Sequence, residues 1–385
     1  MEPESDSPEK PSPHVAVYVT NHGFGHINRV VAVLNHVPEN VRITVRADPD
    51  LNLALRQRLR RGFGYREFPS DQGTVSPPGQ NSRTDIPATF QGLKARMDAI
   101  EKASPAEIRW LRESGVTAVY ADGSPMPMSL AAQAGIPAWL AANFTWDEIH
   151  ADLLEQADPE EITDDLRAYV ADAVERMRSA CSRATLLRCW PHTPMSGIGN
   201  RSVNVGLVVN PARSIRKELN ERFGLGPATA LIYFYVGRYG VEELPWRKLE
   251  SLPKRFVFIG LHPPGQDLPG RFVTVDPTEF NGADLLASCD AAVVKAGYGA
   301  VAEAMAAGTP VIYPPRSGFV EFDSLDQALR AWPGGIPISE WDFSNLALES
   351  ALNDALAGRS APPDVPSDGA ARIARILAMH NEIDR

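Results

Sequence analysis

Residues 14–37, HVAVYVTNHGFGHINRVVAVLNHV, decide the fold of this chain. The first seven residues form a β-branched, apolar run that is typical of a buried strand. A turn containing Gly23 and Gly25 follows, and residues 27–37 carry an apolar pattern of helix length. A buried strand, a glycine turn and a helix in this order are typical of a parallel sheet covered by helices.

The same alternation recurs along the rest of the chain. In the first half, further strands are predicted at residues 42–46, 116–120 and 138–142. In the second half, apolar runs occur at residues 230–236, 256–259, 272–275, 291–294 and 310–313. Helical or turn segments separate these runs. The pattern predicts an α/β protein with two doubly wound halves, that is, two Rossmann-like domains.

The length of 385 residues is about twice that of one ordinary domain. We expect an acidic, proline-rich, disordered tail over residues 1–13 and an N-terminal domain over 14–205. A C-terminal domain is expected over 206–385, since the stretch from 195 to 211 is rich in Gly, Asn and Ser. The last helix, predicted at 370–380, follows a proline-rich linker, which leaves open its return onto the N-terminal domain.

Two other segments have a distinctive composition. Residues 76–87, SPPGQNSRTDIP, are too rich in proline and polar side chains for a regular element, so they predict a long surface loop. Residues 158–178 predict an exposed acidic helix.

Composition restricts the class of protein. With 38 Lys and Arg against 48 Asp and Glu, the net charge of −10 argues against a nucleic-acid partner. Only three cysteines occur, with no CxxC pair, which argues against a disulfide scaffold and favours a reducing cytosol. No apolar run approaches the ~20 residues of a membrane span. We therefore expect a cytoplasmic protein without a membrane span; a homodimer stays open.

The turn after the first strand is the first candidate site. His22, Gly23, Phe24, Gly25 and His26 lie at the carboxyl end of that strand, where open α/β sheets bind ligands. The turn is neither GxGxxG nor a P-loop. The two histidines leave three interpretations open: a metal pair, a structural turn, or a general base that takes a hydroxyl proton at His26.

A carboxylate that could orient this base comes from another strand. Asp122 directly follows the run VTAVYA, and at the same sheet edge it would hold the imidazole, although it could equally cap the next helix. Asn143, Trp146 and Asp147 follow the strand at 138–142 and are expected to line the same cleft. Trp146 could equally be an ordinary packed aromatic.

The second candidate site is in the other half. Residues 293–310, VVKAGYGAVAEAMAAGTP, predict a strand, a glycine turn and a helix. Backbone N–H groups at such a helix start can bind a diphosphate, and the turn contains Gly297, Tyr298 and Gly299. Lys295 adds a cation, and Glu303 could accept hydrogen bonds from a ribose. A plain tight turn and an exposed helix charge are the alternatives.

These residues resemble the GT-B nucleotide-sugar glycosyltransferases, in which two Rossmann-like domains face each other across a cleft. Residues 295–310 resemble the donor signature HxGxxSxxE, with Lys295 at the His position and Ala300 in place of Ser or Thr. FGHIN resembles the GHxNP start of these enzymes, with Arg29 in place of Pro. The resemblance implies that His26 is the catalytic base and that Asp122 orients it.

A closer resemblance, over most of the chain, is to the glycosyltransferase-like half of arabinokinases and their bacterial relatives. HGFGHINR, AGIPAWLAANFTWDEI and KAGYGAVAEAMAAGTPVIYPPR carry it. By this resemblance Arg316 and Glu321 belong to the donor site, where Glu321 would reach the sugar hydroxyls.

Together these features predict a metal-independent, inverting glycosyltransferase without a cofactor. Its co-substrate would be a nucleotide-sugar, expected to be a UDP-sugar, and its acceptor a small molecule. A sugar-nucleotide epimerase or hydrolase and a non-catalytic sugar-nucleotide-binding protein are the alternatives. The DxD at Asp48 and Asp50 is interpreted as a turn rather than a metal site.

Overall fold

The structure is a computed structural model that describes residues 12–69, 71, 73–77, 84–196, 198, 201–235, 244–261, 268–316, 319–357 and 360–383. It contains two parallel sheets, one in each half of the chain. The expected tail lies outside the described residues as far as residue 11. The prediction of an α/β protein with two Rossmann-like domains is confirmed.

The first sheet has seven strands in the order β3-β2-β1-β4-β5-β6-β7. Its strands are β1 (His14–Val19), β2 (Arg42–Ala47), β3 (Gly64–Glu67), β4 (Ala118–Asp122), β5 (Ala138–Ala142), β6 (Thr185–Cys189) and β7 (Ser202–Gly206). All six residues of β1 are buried, as its continuous apolar run requires for a central strand covered on both faces. β3, β6 and β7 were not predicted.

Six helices accompany this sheet: α1 (Gly23–Leu34), α2 (Leu51–Arg58), α3 (Ile86–Glu113), α4 (Met126–Ala134), α5 (Trp146–Gln156) and α6 (Asp164–Cys181). The loop predicted over 76–87 ends earlier, because Asp85 accepts a hydrogen bond from the Ala88 N–H and starts α3. Residues 78–83 of that loop lie outside the described part. The exposed helix predicted over 158–178 begins only at Asp164, and one face of it is buried.

The second sheet has six strands in the order β10-β9-β8-β11-β12-β13. They are β8 (Ala230–Tyr235), β9 (Phe256–Leu261), β10 (Phe272–Val275), β11 (Ala291–Val294), β12 (Val311–Tyr313) and β13 (Gly335–Pro337). The five strands predicted for this half are all present, although residue 236 lies outside the description. Its helices are α7 (Arg216–Phe223), α8 (Gly282–Ser288), α9 (Tyr298–Ala307), α10 (Glu321–Ala331), α11 (Glu340–Ser344) and α12 (Glu349–Ala357).

The last helix, α13 (Gly369–Ile383), packs against α1, β4 and β7 of the first half. There His380 Nε2 lies 2.9 Å from Thr117 Oγ1. The preceding linker is fixed by backbone hydrogen bonds from the Leu207 N–H to the Pro366 carbonyl and from the Gly369 N–H to the Leu207 carbonyl. α1 also packs against α9, so the two halves share one apolar cluster.

No helix among the described residues combines the length and the apolar character that crossing a lipid bilayer requires.

Substitution of Gly206 tests how the linker is held. Gly206 has φ +80°, and an added Cβ would lie 2.3 Å from the Pro366 carbonyl oxygen. The left-handed backbone costs about 1–2 kcal/mol and the overlap about 1–3 kcal/mol, so Gly206→Ala should lower the free energy of urea unfolding by about 2–5 kcal/mol. Gly135→Ala is the control: its φ is +75° with open space around it, and it should lose only the backbone contribution. Equal losses would contradict this account.

Candidate functional site

The carboxyl ends of β1 and β4 bring His26 and Asp122 together. The two strands are parallel neighbours with Val19 opposite Asp122. Because α1 begins only four residues after β1, His26 lies in its first turn, and its Nδ1 is 2.8 Å from Asp122 Oδ1. Both side chains are buried. Asp122 does not cap α4, which begins after Pro125 without a side-chain cap.

The shape of the chain around His26 depends on a glycine after Asp122. Gly123 has φ +72°, and an added Cβ would lie 2.8 Å from the imidazole Cε1. Only glycine therefore lets the turn after β4 pass this close to the ring. The close approach keeps the imidazole against the end of β4.

The hydrogen bond to Asp122 determines what His26 can do. An ionised carboxylate accepts only, so the 2.8 Å bond assigns the proton to Nδ1. Within the described part of the chain, no hydrogen bond engages Nε2. An imidazole held in this tautomer presents a lone pair at Nε2, which is the arrangement of a general base.

Arg29, on the same helix, also binds Asp122. Its Nε donates to Oδ2 at 2.6 Å and its Nη2 donates to Oδ1 at 2.8 Å. Burial alone would raise the pKa of Asp122, but the Arg29 guanidinium and the His26 bond outweigh burial and hold that pKa below its usual value. The sequence marked Arg29 only as a departure from a family pattern, and its contact with Asp122 was not predicted.

Asn143 connects this group to the second half of the chain. It follows β5, its Oδ1 accepts from Arg29 Nη1 at 2.8 Å, and its Nδ2 donates to Glu321 Oε1 at 2.7 Å. Glu321 is the first residue of α10. The Arg29 guanidinium also lies 5.0 Å from the ring centroid of Tyr298, the first residue of α9.

In the second half, two cations lie near the start of α9: Lys295 is in the turn between β11 and α9, and Arg316 is in the loop after β12. Burial lowers the pKa of Lys295 to about 8, with the charge of Arg316 acting in the same direction and Glu321 opposing. Arg316 donates to the Ala296 carbonyl at 3.2 Å and lies over the Phe319 ring. Burial lowers the pKa of Arg316 as well. Two neighbouring cations whose pKa values are both lowered favour the binding of an anion. Gly297 is the N-cap of α9, whose first N–H groups open towards this turn.

Glu303 lies one turn inside α9. Burial raises its pKa to about 7, while a hydrogen bond from Asn210 and the charge of Arg58 oppose that rise. It is therefore not the freely solvated helix charge that was one alternative. The glycine turns of the two halves also approach each other, since an added Cβ on Gly299 would lie 3.7 Å from the Gly25 Cα.

His22 lies between the two halves. Its ring makes an edge contact with Trp146 at 5.0 Å and stacks with Phe319 at 6.3 Å. Burial, together with the charges of His26, Arg316 and Lys295, lowers its pKa to about 3. His22 is consequently a neutral ring at ordinary pH.

A metal site at the paired histidines would need further ligands. Among the described residues, no group of three or more His, Cys, Asp or Glu is arranged to hold an ion. At the DxD, the Leu51 N–H donates to the Asp48 carbonyl and α2 begins after Asp50. The Asp48 carboxylate accepts from Arg96 at 2.8 Å. This is the turn that the sequence predicted.

The remaining predicted cleft residues are placed differently from one another. Trp146 is fully buried, and its ring contacts the rings of His22 and Phe144. Asp147 is buried as well, and its Oδ2 accepts from Arg178 of α6 at 3.3 Å, so its described ion pair lies between α5 and α6. Gly23 and Phe24 belong to the first turn of α1, but their side-chain environment lies outside the description.

The sequence missed Asp71, which lies on the loop after β3. It is 5% exposed. Burial raises its pKa to about 6, while the neighbouring side chains of Ser124 and Thr20 and the charge of His26 oppose that rise. Gly73 in the same loop lies against His22, since an added Cβ would be 1.8 Å from its Nδ1. An aspartate two residues before a glycine, in the loop after a strand, was the only signal in the sequence.

Known proteins are similar to this chain in sequence and in fold. No family model matches the chain. It is 26% identical to L-arabinokinase of Arabidopsis thaliana over 338 residues, which covers 85% of this chain and 30% of that protein. It is 30% identical to a UDP-N-acetylglucosamine–N-acetylmuramyl-(pentapeptide) pyrophosphoryl-undecaprenol N-acetylglucosamine transferase of Thermus thermophilus over 191 residues, 45% of this chain and 53% of that one. The chain thus spans about a third and about half of the length of these two relatives.

Among solved structures, the glycotransferase of kitacinnamycin superposes with a TM-score of 0.62 at 15% identity, covering 96% of both chains. At this identity the likeness concerns the fold. The chain has the two-domain GT-B fold, as the sequence resemblance implied.

The buried Asp71 carboxylate should make stability depend on pH. Its folded pKa of about 6 lies above the ordinary 3.8, so stability present below about pH 4 is lost as the pH rises through 6. At about 1.4 kcal/mol per pKa unit, Asp71→Asn should gain about 3 kcal/mol at pH 8 and little at pH 4. Melting temperatures at both pH values measure this gain. The same change at exposed Asp364 is the control, and a gain that does not depend on pH would refute the prediction.

Proposed function

We propose that this protein is a glycosyltransferase that moves a sugar from a nucleoside diphosphate donor to a hydroxyl of a small-molecule acceptor, with inversion and without a metal ion. One observation carries the proposal: the turn before α9 lies against the start of α1, where an added Cβ on Gly299 would be 3.7 Å from the Gly25 Cα. In keeping with this, the charges of His26, Lys295 and Arg316 all contribute to the lowered pKa of His22. The base and the cationic turn therefore border the same space.

The donor belongs on the second half. Its diphosphate would accept hydrogen bonds from the first N–H groups of α9, with Lys295 and Arg316 supplying positive charge. Glu303 would accept from the ribose hydroxyls, and Glu321 from the sugar. The name of the Thermus relative supports a UDP-sugar as the donor.

The acceptor belongs on the first half, beside His26. Nε2 takes the proton of the acceptor hydroxyl while its oxygen attacks the anomeric carbon. The bond from that carbon to the diphosphate oxygen breaks, and its electron pair leaves with the diphosphate. Because the base and the leaving group lie on opposite sides of the sugar, the anomeric configuration inverts. Lys295, Arg316 and the α9 N-terminus stabilise the developing charge, which is the task of a divalent ion elsewhere.

A donor panel tests the activity. The protein is incubated with UDP-, GDP-, dTDP- and CDP-sugars, with and without a mixture of hydroxylated acceptors, and the released nucleotide is measured. Release that requires an acceptor supports transfer. Release without an acceptor indicates a hydrolase, conversion of the sugar indicates an epimerase, and binding without turnover indicates a sugar-nucleotide-binding protein; each of these three contradicts the proposal.

Loss of the base should separate chemistry from binding. His26→Ala should reduce the transfer rate by about 10²–10⁴-fold, the usual contribution of a general base, while nucleotide affinity measured by calorimetry stays within about twofold. His36→Ala, an exposed histidine at the end of the same helix, is the matched control and should retain the full rate. A normal rate in His26→Ala would remove His26 from the chemistry.

Glu303 should recognise the ribose. Because its pKa is about 7, nucleotide affinity should rise with pH through neutrality as the carboxylate becomes ionised. Glu303→Gln should lower the affinity about tenfold or more at pH 8, the worth of one charged hydrogen bond, and should lose this pH dependence. A 2′-deoxynucleotide is the control ligand, because its affinity should fall much less. Unchanged calorimetric affinity for the ribonucleotide would refute the assignment.

A further inference from the structure

Arg29 is almost fully buried, at 4% exposure, and every one of its terminal nitrogens has a partner. Nε and Nη2 bind the two oxygens of Asp122, and Nη1 binds Asn143. Asp122 in turn is fully buried and also receives the His26 Nδ1–H. The carboxylate that orients the base is therefore shared with a second, permanent cation.

The distances decide which tautomer His26 adopts. Arg29 Nη2 lies 3.2 Å from His26 Nδ1, whereas Asp122 Oδ1 lies 2.8 Å away. If Nδ1 carried no proton, its lone pair would face the Asp122 lone pairs at hydrogen-bond distance, which is repulsive. With the proton on Nδ1, all three groups are satisfied, since Arg29 then donates to Asp122 alone.

Sharing changes the electrostatics of the pair. In a simple His–Asp pair the carboxylate stabilises the imidazolium. Here the two N–H groups that Arg29 donates to Asp122 already compensate the carboxylate charge. The positive guanidinium also opposes a positive charge on the nearby imidazole. The other titratable groups that face His26 are Asp71 from the loop after β3 and His22 from the turn before α1.

Arg29 also ties the pair to the other half of the chain. Through Asn143 it reaches Glu321 of α10, and its guanidinium lies over the Tyr298 ring at the start of α9. The Tyr298 hydroxyl in turn accepts from the Val208 N–H at 3.0 Å. The group that holds Asp122 is therefore connected to the first residues of both α9 and α10.

We propose that Arg29 is the positioning residue of this site: it clamps Asp122, holds His26 as the neutral Nδ1–H tautomer, and opposes its protonation until an acceptor hydroxyl delivers the proton to Nε2. The last step rests on the proposed transfer function. The clamp and its effect on the imidazole do not, so they are testable in the protein without substrate.

The first test needs no variant. ¹⁵N NMR of the histidine-labelled full chain, with His26 assigned from the His26→Asn spectrum, reports which ring nitrogen carries the proton at pH 8. A protonated Nδ1 and an unprotonated Nε2 are expected. The opposite tautomer would overturn the proposal.

The second test is the titration of the His26 ring in variants of Arg29. In Arg29→Gln, Asp122 is left to compensate His26 alone, so the midpoint of the ring titration should move to higher pH by about one unit or more, a tenfold or greater gain in proton affinity. Arg29→Lys keeps the charge and should remain near the wild-type midpoint. Arg216→Gln removes an arginine from an ion pair with Asp290 in the other half and is the matched control.

Three outcomes of the titration are informative. An unchanged midpoint in folded Arg29→Gln, or equal shifts in the Gln and Lys variants, would overturn the proposal. Where a transfer assay exists, the acid limb of its pH–rate profile should move with the NMR midpoint. If the midpoint moves but no donor supports transfer, the proposed function fails and the assignment of Arg29 stands.

Discussion

The buried negative charge of Asp122 is the constraint on which the site depends. A carboxylate without solvent contact is costly unless it is paired and hydrogen-bonded. β4 places Asp122 at the carboxyl ends of the strands of the first sheet, beside the end of β1. There Asp122 binds His26 and Arg29, which lie one turn apart on α1. Three residues of two elements thereby form one neutralised unit, whose only unengaged ring nitrogen in the described structure is the Nε2 of His26.

That unit extends into the second half of the chain. Asn143 accepts a hydrogen bond from Arg29 and donates one to Glu321. In addition, α13 packs on α1 and the first sheet. The two Rossmann-like halves thus meet through polar contacts near the cleft and through apolar contacts behind it. Such a division suits an enzyme that must align two substrates held by different domains, because alignment needs directional contacts whereas cohesion does not.

Two carboxylates and one amine around the cleft have pKa values near neutrality: Asp71 at about 6, Glu303 at about 7 and Lys295 at about 8. Burial is the first cause for each of them. Groups whose pKa values are shifted by burial in this way are typical of functional sites. In the proposed function Lys295 would contact an anion, and Glu303 would accept a hydrogen bond from a hydroxyl group.

The sequence by itself determined the strand–turn–helix units and the two candidate clusters. A continuous apolar run such as 14–19 indicates its own burial, and the glycines at 23, 25, 297 and 299 mark the turns between a strand and a helix. His26, Asp122 and Lys295 were singled out because each lies at the end of such a run or in the turn after it, and Glu303 because it lies one turn inside the helix that follows. Family resemblance added Arg316 and Glu321.

The tertiary structure alone decided the other hydrogen-bond partners in the site, those of Arg29 and Asn143. Arg29 and Asp122 are 93 residues apart, Asn143 and Glu321 178 apart, and neither pair carries a periodicity that a sequence could display. Asp71 and α3 were also missed from the sequence. Asp71 lies in a polar loop, and α3 begins beside a proline-rich stretch that looks irregular. Local patterns report whether a residue is buried, whereas sheet register and helix packing determine which buried charges meet.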